Sequence, residues 1–152
     1  MLILDSMEPN VTEAHLEVGE KPPIWILALV PVEMQGQVRR QLGSLGVVID
    51  FISKVVEVTQ LVLSRRSYHV ALVPAVLPDN GWWSLWGELA LLNPRPEILV
   101  YAHEATFQLW SGVLEIGGYD VIEEPFEEKA LQSAVTRAAH SFEERRFGGH
   151  EQ

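Results

Sequence analysis

Hydrophobic and polar positions alternate between two patterns along this chain. Short unbroken apolar runs are separated by longer stretches whose apolar residues recur every three or four positions, the helical spacing. Ile24-Trp25-Ile26-Leu27-Ala28-Leu29-Val30 is the first run and stops at Pro31. A run with no polar interruption predicts a strand buried on both faces. Met34, Val38, Leu42 and Leu45 then share one stripe of a helix closed by Gly46. Val47 to Phe51 predicts a second strand, and Ser53 is placed to cap a helix carrying Val55, Val58 and Val62. Tyr68 to Val73 predicts a third strand stopped by Pro74, and Leu77-Pro78-Asp79-Asn80-Gly81 has the chemistry of a loop. Trp82, Leu85, Trp86 and Leu89 share a helix face. Asn93-Pro94-Arg95-Pro96 breaks the chain before a strand from Glu97 to Tyr101. Ala105 to Ile116 predicts a helix ended by Gly117-Gly118. Tyr119 to Ile122 is the fifth strand. Glu127 to Glu143 is the last helix, with acids in its first turn and Leu131, Val135 and Ala138 facing in.

Strand and helix therefore alternate five times with short connections. That order predicts an α/β domain with a parallel sheet covered on both faces. The expected architecture is a single flavodoxin-like, doubly wound domain with five helices and a five-stranded parallel sheet in the order 2-1-3-4-5. Residues 22–145 are expected to form this domain. Residues 1–21 carry Asp5, Glu8, Glu13, Glu17 and Glu20 against Lys21 and are expected to be an acidic flexible tail. Residues 146–152, with Gly148-Gly149, are expected to be a flexible C-terminal tail.

Composition narrows the function. The 152 residues are 47% hydrophobic, enough to bury a core. The net charge of −10 and the lack of any Lys/Arg cluster argue against nucleic acid and anionic membrane as partners. No cysteine is present, which excludes disulfides and thiol catalysis and fits a reducing compartment. Met1 to Met7 has no basic leader, and the longest apolar run is about half a membrane span; a soluble cytoplasmic protein is expected. His15, His69, His103, His140 and His150 are scattered, with no metal-binding spacing, and no nucleophile-elbow, P-loop or dinucleotide fingerprint is present. No catalytic residue, metal site or cofactor is expected, and the chain does not read as an enzyme.

Three segments carry a family resemblance. Leu114-Glu115-Ile116-Gly117-Gly118-Tyr119-Asp120-Val121-Ile122-Glu123-Glu124-Pro125-Phe126 resembles the end of a response-regulator receiver (CheY-like) domain. Tyr68 to Asp79, with Leu77-Pro78-Asp79, is similar to the family's third strand and following loop. Pro96 to His103 resembles its fourth strand. The resemblance spans about residues 22 to 143. It implies a phosphoacceptor Asp at the end of the third strand, where this chain has Pro74. It also implies two Mg²⁺-binding acids after the first strand, where this chain has Leu29, Val30 and Pro31, with Glu33 the nearest acid. The family's Ser/Thr closing the fourth strand is replaced by Tyr101, and its Lys after the fifth strand by Glu124.

Proline has no nucleophile for acyl-phosphate formation. The apolar end of the first strand offers no hard oxygen ligand for Mg²⁺, and Glu124 would repel a phosphoryl group. The resemblance therefore implies a degenerate pseudo-receiver of two-component, phosphorelay type that signals by phosphorylation-independent protein–protein interaction. An active receiver phosphorylated at a non-standard acid such as Asp79 is one alternative; a flavodoxin-like small-molecule binder with its site near Pro31, Pro74 and Tyr101 is another. The resemblance also marks Pro125 as a cis-proline candidate, although a trans bond is the base-rate expectation for X-Pro.

With the phosphoryl chemistry set aside, surfaces remain. Leu109, Val113 and Ile116 make one stripe of the fourth helix and should face the sheet. Phe107, Trp110 and Leu114 make a second stripe, which is either a partner or dimer interface or core on a rotated helix. The resemblance favours the interface, because the family often meets partners through its fourth helix, fifth strand and fifth helix. Partner or self are both open; a homodimer, if one forms, would use that face. Trp83 points away from the Trp82–Trp86 face and is weighed as a ligand-stacking group.

Overall fold

A computed structural model describes residues 22–64, 66–77 and 81–148. The first strand, β1 (Ile24–Leu29), is followed by α1 (Val32–Leu42) and a 3₁₀ turn (Gly43–Leu45). Then come β2 (Val47–Ile52), α2 (Val56–Leu63), β3 (Val70–Pro74), α3 (Gly81–Leu89), β4 (Glu97–Ala102), α4 (Phe107–Glu115), β5 (Asp120–Glu123) and α5 (Glu128–Gly148). The strands are parallel and lie in the order β2-β1-β3-β4-β5, the predicted topology.

The unbroken apolar runs are explained by two cores, one on each face of the sheet. Ile26, Ala28, Leu72, Leu99 and Tyr101 point toward α1 and α5, where Val38, Leu42, Leu131, Val135 and Ala138 meet them. Leu27, Leu29, Ala71, Val73, Ile98 and Val100 point the other way, against Val58 of α2, Leu85 and Leu89 of α3 and Val113 of α4. Alternate residues of one strand thus serve opposite cores, and neither set can be polar.

Several local expectations need correction. Ser53 does not cap α2. Glu57, inside the helix, turns back so that its Oε1 accepts the Ser53 and Lys54 N–H groups at 2.8 and 2.9 Å. A carboxylate there also suits the positive end of the helix. Pro74 does not stop the strand at Val73 but is itself the last residue of β3, paired in register with Tyr101. Ile116 is the C-cap of α4 and lies largely exposed, not in the inward stripe. The last helix runs to Gly148, past the expected tail boundary at residue 146. Phe142 is buried, Arg145 donates to Glu97 and to the Arg95 carbonyl, and His140 lies 3.2 Å from Glu144, so the charged run is held as helix. Residues 1–21 and 149–152, and with them Asp79, lie outside the described residues.

The end of α4 follows its sequence signal closely. Thr106 caps its start by accepting the Leu109 N–H at 3.1 Å. At its finish Gly117 takes a positive φ of 101°, and the N–H groups of Gly117 and Gly118 return to the Leu114 and Val113 carbonyls. That is the paired hydrogen-bond pattern of a glycine helix stop.

Candidate functional site at the strand ends

In doubly wound folds ligands collect outside the C-terminal strand ends, near the point where strand order reverses. Here that point lies between β1 and β3. β1 and β3 pair from Ile26↔Val70 only as far as Ala28↔Leu72. The next rung in that register would be donated by the N–H of residue 74 to the Leu29 carbonyl, because Ala75 already bonds the other way, to Tyr101. Pro74 has no N–H, and Pro31 has none to continue the ladder from β1. The Leu29 carbonyl instead accepts the Tyr101 hydroxyl at 3.0 Å. A phenol from β4 thus replaces the missing backbone donor.

Tyr101 is itself held from all sides. It is buried, and its ring meets Phe126 edge-on at 5.5 Å. Burial, followed by the charge of Glu124, pushes its hydroxyl up to about 12, so it stays protonated as a donor. Glu124 is tied to the end of β4 by its N–H, which donates to the Ala102 carbonyl at 2.8 Å, and the Glu124–Pro125 peptide is cis. Glu123, which the sequence reading did not single out, accepts the Ala105 N–H at 2.9 Å and anchors the loop into α4. Phe126 was also missed as a site residue, although it closes the Glu-Pro-Phe triplet that carried the resemblance.

The structure therefore gathers Leu29, Pro74, Tyr101 and Glu124 at one rim, with Val30 buried beside them and Pro31 exposed at the mouth of α1. Their side chains do not fit a divalent cation: Leu29, Val30, Pro31 and Pro74 have no oxygen to offer. Among the described residues no group of three or more His, Asp or Glu is placed to hold a metal. Glu33 is exposed on α1.

The second predicted surface lies on α4. Phe107, Trp110 and Leu114 are exposed, at 77%, 42% and 37%, while Val113 is buried on the opposite side. The helix is thus not rotated, and the outward stripe is apolar. Phe107 and Trp110 touch ring to ring at 6.1 Å. Beside α4, a groove of about 460 Å³ runs along β5 and α5, lined by Ala105, Ile122, Pro125, Ala130 and Arg137 among others.

No protein-family model matches the sequence, and no curated protein is similar to it by sequence. Solved structures are similar in fold. The signal receiver domain of an HD domain-containing protein from Pseudomonas fluorescens Pf-5 shares 17% identity, covering 81% of this chain and 98% of that one at a TM-score of 0.66. The receiver domain of a sensor histidine kinase from Pseudomonas aeruginosa PAO1, solved with magnesium coordinated in its active-site cleft, shares 20% identity over 79% and 99% at 0.63. A pilus assembly-related protein from Burkholderia pseudomallei K96243 shares 19% over 78% and 90% at 0.64. The fold is thus the flavodoxin-like fold of signal receiver domains. Among the described residues no helix is long and apolar enough to cross a membrane.

Proposed function

We propose that this chain is a pseudo-receiver: a two-component signalling module without phosphoryl chemistry or enzymatic activity, working by binding a protein partner or a second copy of itself. The observation that carries the reading is the Tyr101–Leu29 hydrogen bond over Pro74. The position that the resemblance gives to a phosphoacceptor has no nucleophile. The position that it gives to a switch hydroxyl holds a phenol already committed to the backbone. Glu124 stands where a lysine would neutralise phosphate, and its negative charge opposes a phosphoryl group.

The binding surface in this reading is the outward face of α4. Two adjacent aromatic rings and a leucine on a solvent-facing helix side have the composition of interface anchors. Incubation with acetyl phosphate and Mg²⁺, followed by intact mass, tests the chemical half. The reading expects an unchanged mass. A Mg²⁺-dependent phosphoryl adduct, on Asp79 or on any other acid, would overturn it in favour of an active receiver.

A further inference from the structure

We infer that His69 is a proton-sensitive joint between β1, the start of β3 and α5, which holds the start of β1 when neutral and releases it when protonated. The Trp25 N–H donates to the His69 Nδ1 at 3.0 Å. The His69 N–H donates to the Trp25 carbonyl at 2.9 Å, so in a regular parallel ladder the Trp25 N–H would go to the carbonyl two residues earlier, that of Ser67. The imidazole takes the place of that carbonyl. β1 and β3 are therefore joined by a side chain beyond each end of their ladder, a ring acceptor from His69 at one and a phenol donor from Tyr101 at the other.

The Trp25 bond fixes where the ring keeps its proton. A nitrogen that accepts an N–H carries no hydrogen, so the neutral ring is protonated on Nε2, which donates to the Glu143 Oε2 of α5 at 3.0 Å. A second proton can go only to Nδ1, where the new N–H would face the Trp25 N–H, two donors 3.0 Å apart. The Nε2 contact survives that change and becomes a full ion pair. Protonation thus breaks the β1 arm of the joint and keeps the α5 arm. Of the charged groups on the surrounding elements, Glu143 favours the second proton. Glu97, whose N–H donates to the His69 carbonyl, has its carboxylate occupied by Ser141 and Arg145. On the segment before His69, Arg66 donates to Asp50 of β2, which also accepts the Tyr68 hydroxyl. His140 of α5 is paired with Glu144, and β1 has no ionisable residue. Phe142 meets the ring edge-on at 5.1 Å and brings no charge. The ring is 18% exposed, which lets it exchange protons with solvent.

The test follows the whole chain, isotopically labelled, by magnetic resonance from about pH 8 to about pH 5, the range in which histidine changes charge. At the alkaline end the His69 ring should show a bare Nδ1 and a protonated Nε2. As the ring titrates, the Trp25 amide proton should move upfield, the direction of a lost hydrogen bond, with the same midpoint. His69→Asn, whose side-chain oxygen can accept in place of Nδ1 and does not titrate, should abolish this shift. Glu143→Gln alters a partly exposed side chain and removes the charge that favours the protonated ring. It should leave the fold intact and move the midpoint to lower pH. A proton on Nδ1 at the alkaline end, a ring that stays neutral over the whole range, or a Trp25 amide that stays fixed while His69 titrates would overturn the inference. So would a Trp25 shift that persists in His69→Asn, or a midpoint that Glu143→Gln leaves in place or raises.

Discussion

The hydroxyl of Tyr101 donates to the carbonyl of Leu29 across 72 residues of sequence, at 3.0 Å, where a regular β1–β3 ladder would have placed a backbone N–H. The proline that ends β3 and the tyrosine that ends β4 therefore form one device. The first removes a donor and the second restores it. Tyr101→Phe should leave a buried carbonyl without a partner and cost about 1–3 kcal/mol. Urea denaturation of the variant would show this as a lower midpoint with an unchanged slope. An unchanged midpoint would mean that the carbonyl is satisfied in another way.

The same bond sets a direction for alkaline stability. The Tyr101 hydroxyl lies at about 12 in the folded chain, raised first by burial and then by Glu124, against about 10 in an unfolded chain. Because the folded value is the higher one, the contribution is complete below about pH 10 and is lost as pH climbs toward 12. Phenolate absorbance of the wild type minus that of Tyr101→Phe isolates this group. The difference should rise only near pH 12 or with unfolding, and a difference that titrates near pH 10 in the folded protein would count against a buried donor.

Pro74→Asp supplies a carboxylate and a backbone N–H together. It should not create a phosphorylatable site, since Leu29 and Val30 provide no side-chain oxygen for Mg²⁺. Intact mass after acetyl phosphate should match the unmodified variant. Efficient modification would show that the rim assembles a cation site from residues other than those at the strand ends.

Trp110 is exposed at the centre of the α4 stripe, so Trp110→Glu should alter association and not folding. If the partner is a second copy, light scattering should show the mass of the wild type falling to that of one chain. If the wild type is already monomeric, the variant should keep that mass, and the α4 face is then left for a different protein.

Two glycines one helix apart should respond in opposite ways. A Cβ at Gly118 would land on the Val113 side chain and 3.1 Å from its carbonyl, with Trp86 also close. At Gly87 nothing lies within 4 Å, and the residue sits exposed within α3. Gly118→Ala should be destabilised by roughly 1–3 kcal/mol through overpacking. Gly87→Ala should gain roughly 0.5–1 kcal/mol from helix propensity. Thermal unfolding of the pair checks both signs.

The sheet order and both core faces were readable in the sequence, because continuous apolar runs and three-to-four spacing are local signals. The outward stripe of Phe107, Trp110 and Leu114 was readable for the same reason. What escaped depends on contacts between distant segments. His69 accepts the Trp25 N–H through Nδ1 and reaches Glu143 through Nε2 at 3.0 Å, which joins β1, the start of β3 and α5. Glu97 gathers Ser141 and Arg145 from α5. Neither arrangement has a spacing rule. The capping of the β2–α2 turn by Glu57 was missed because Ser53 offered the more familiar cap residue.

The central claim is that the strand-end rim, where Tyr101 bonds to Leu29 over Pro74, holds no phosphoryl switch. Beryllofluoride with Mg²⁺, titrated into the isotopically labelled protein, tests it most directly, because this pair mimics a phosphorylated carboxylate. The account predicts that the amides of Leu29, Val30, Ala75, Tyr101 and Ala102 stay in place throughout. A saturable, Mg²⁺-dependent shift of those amides would contradict it.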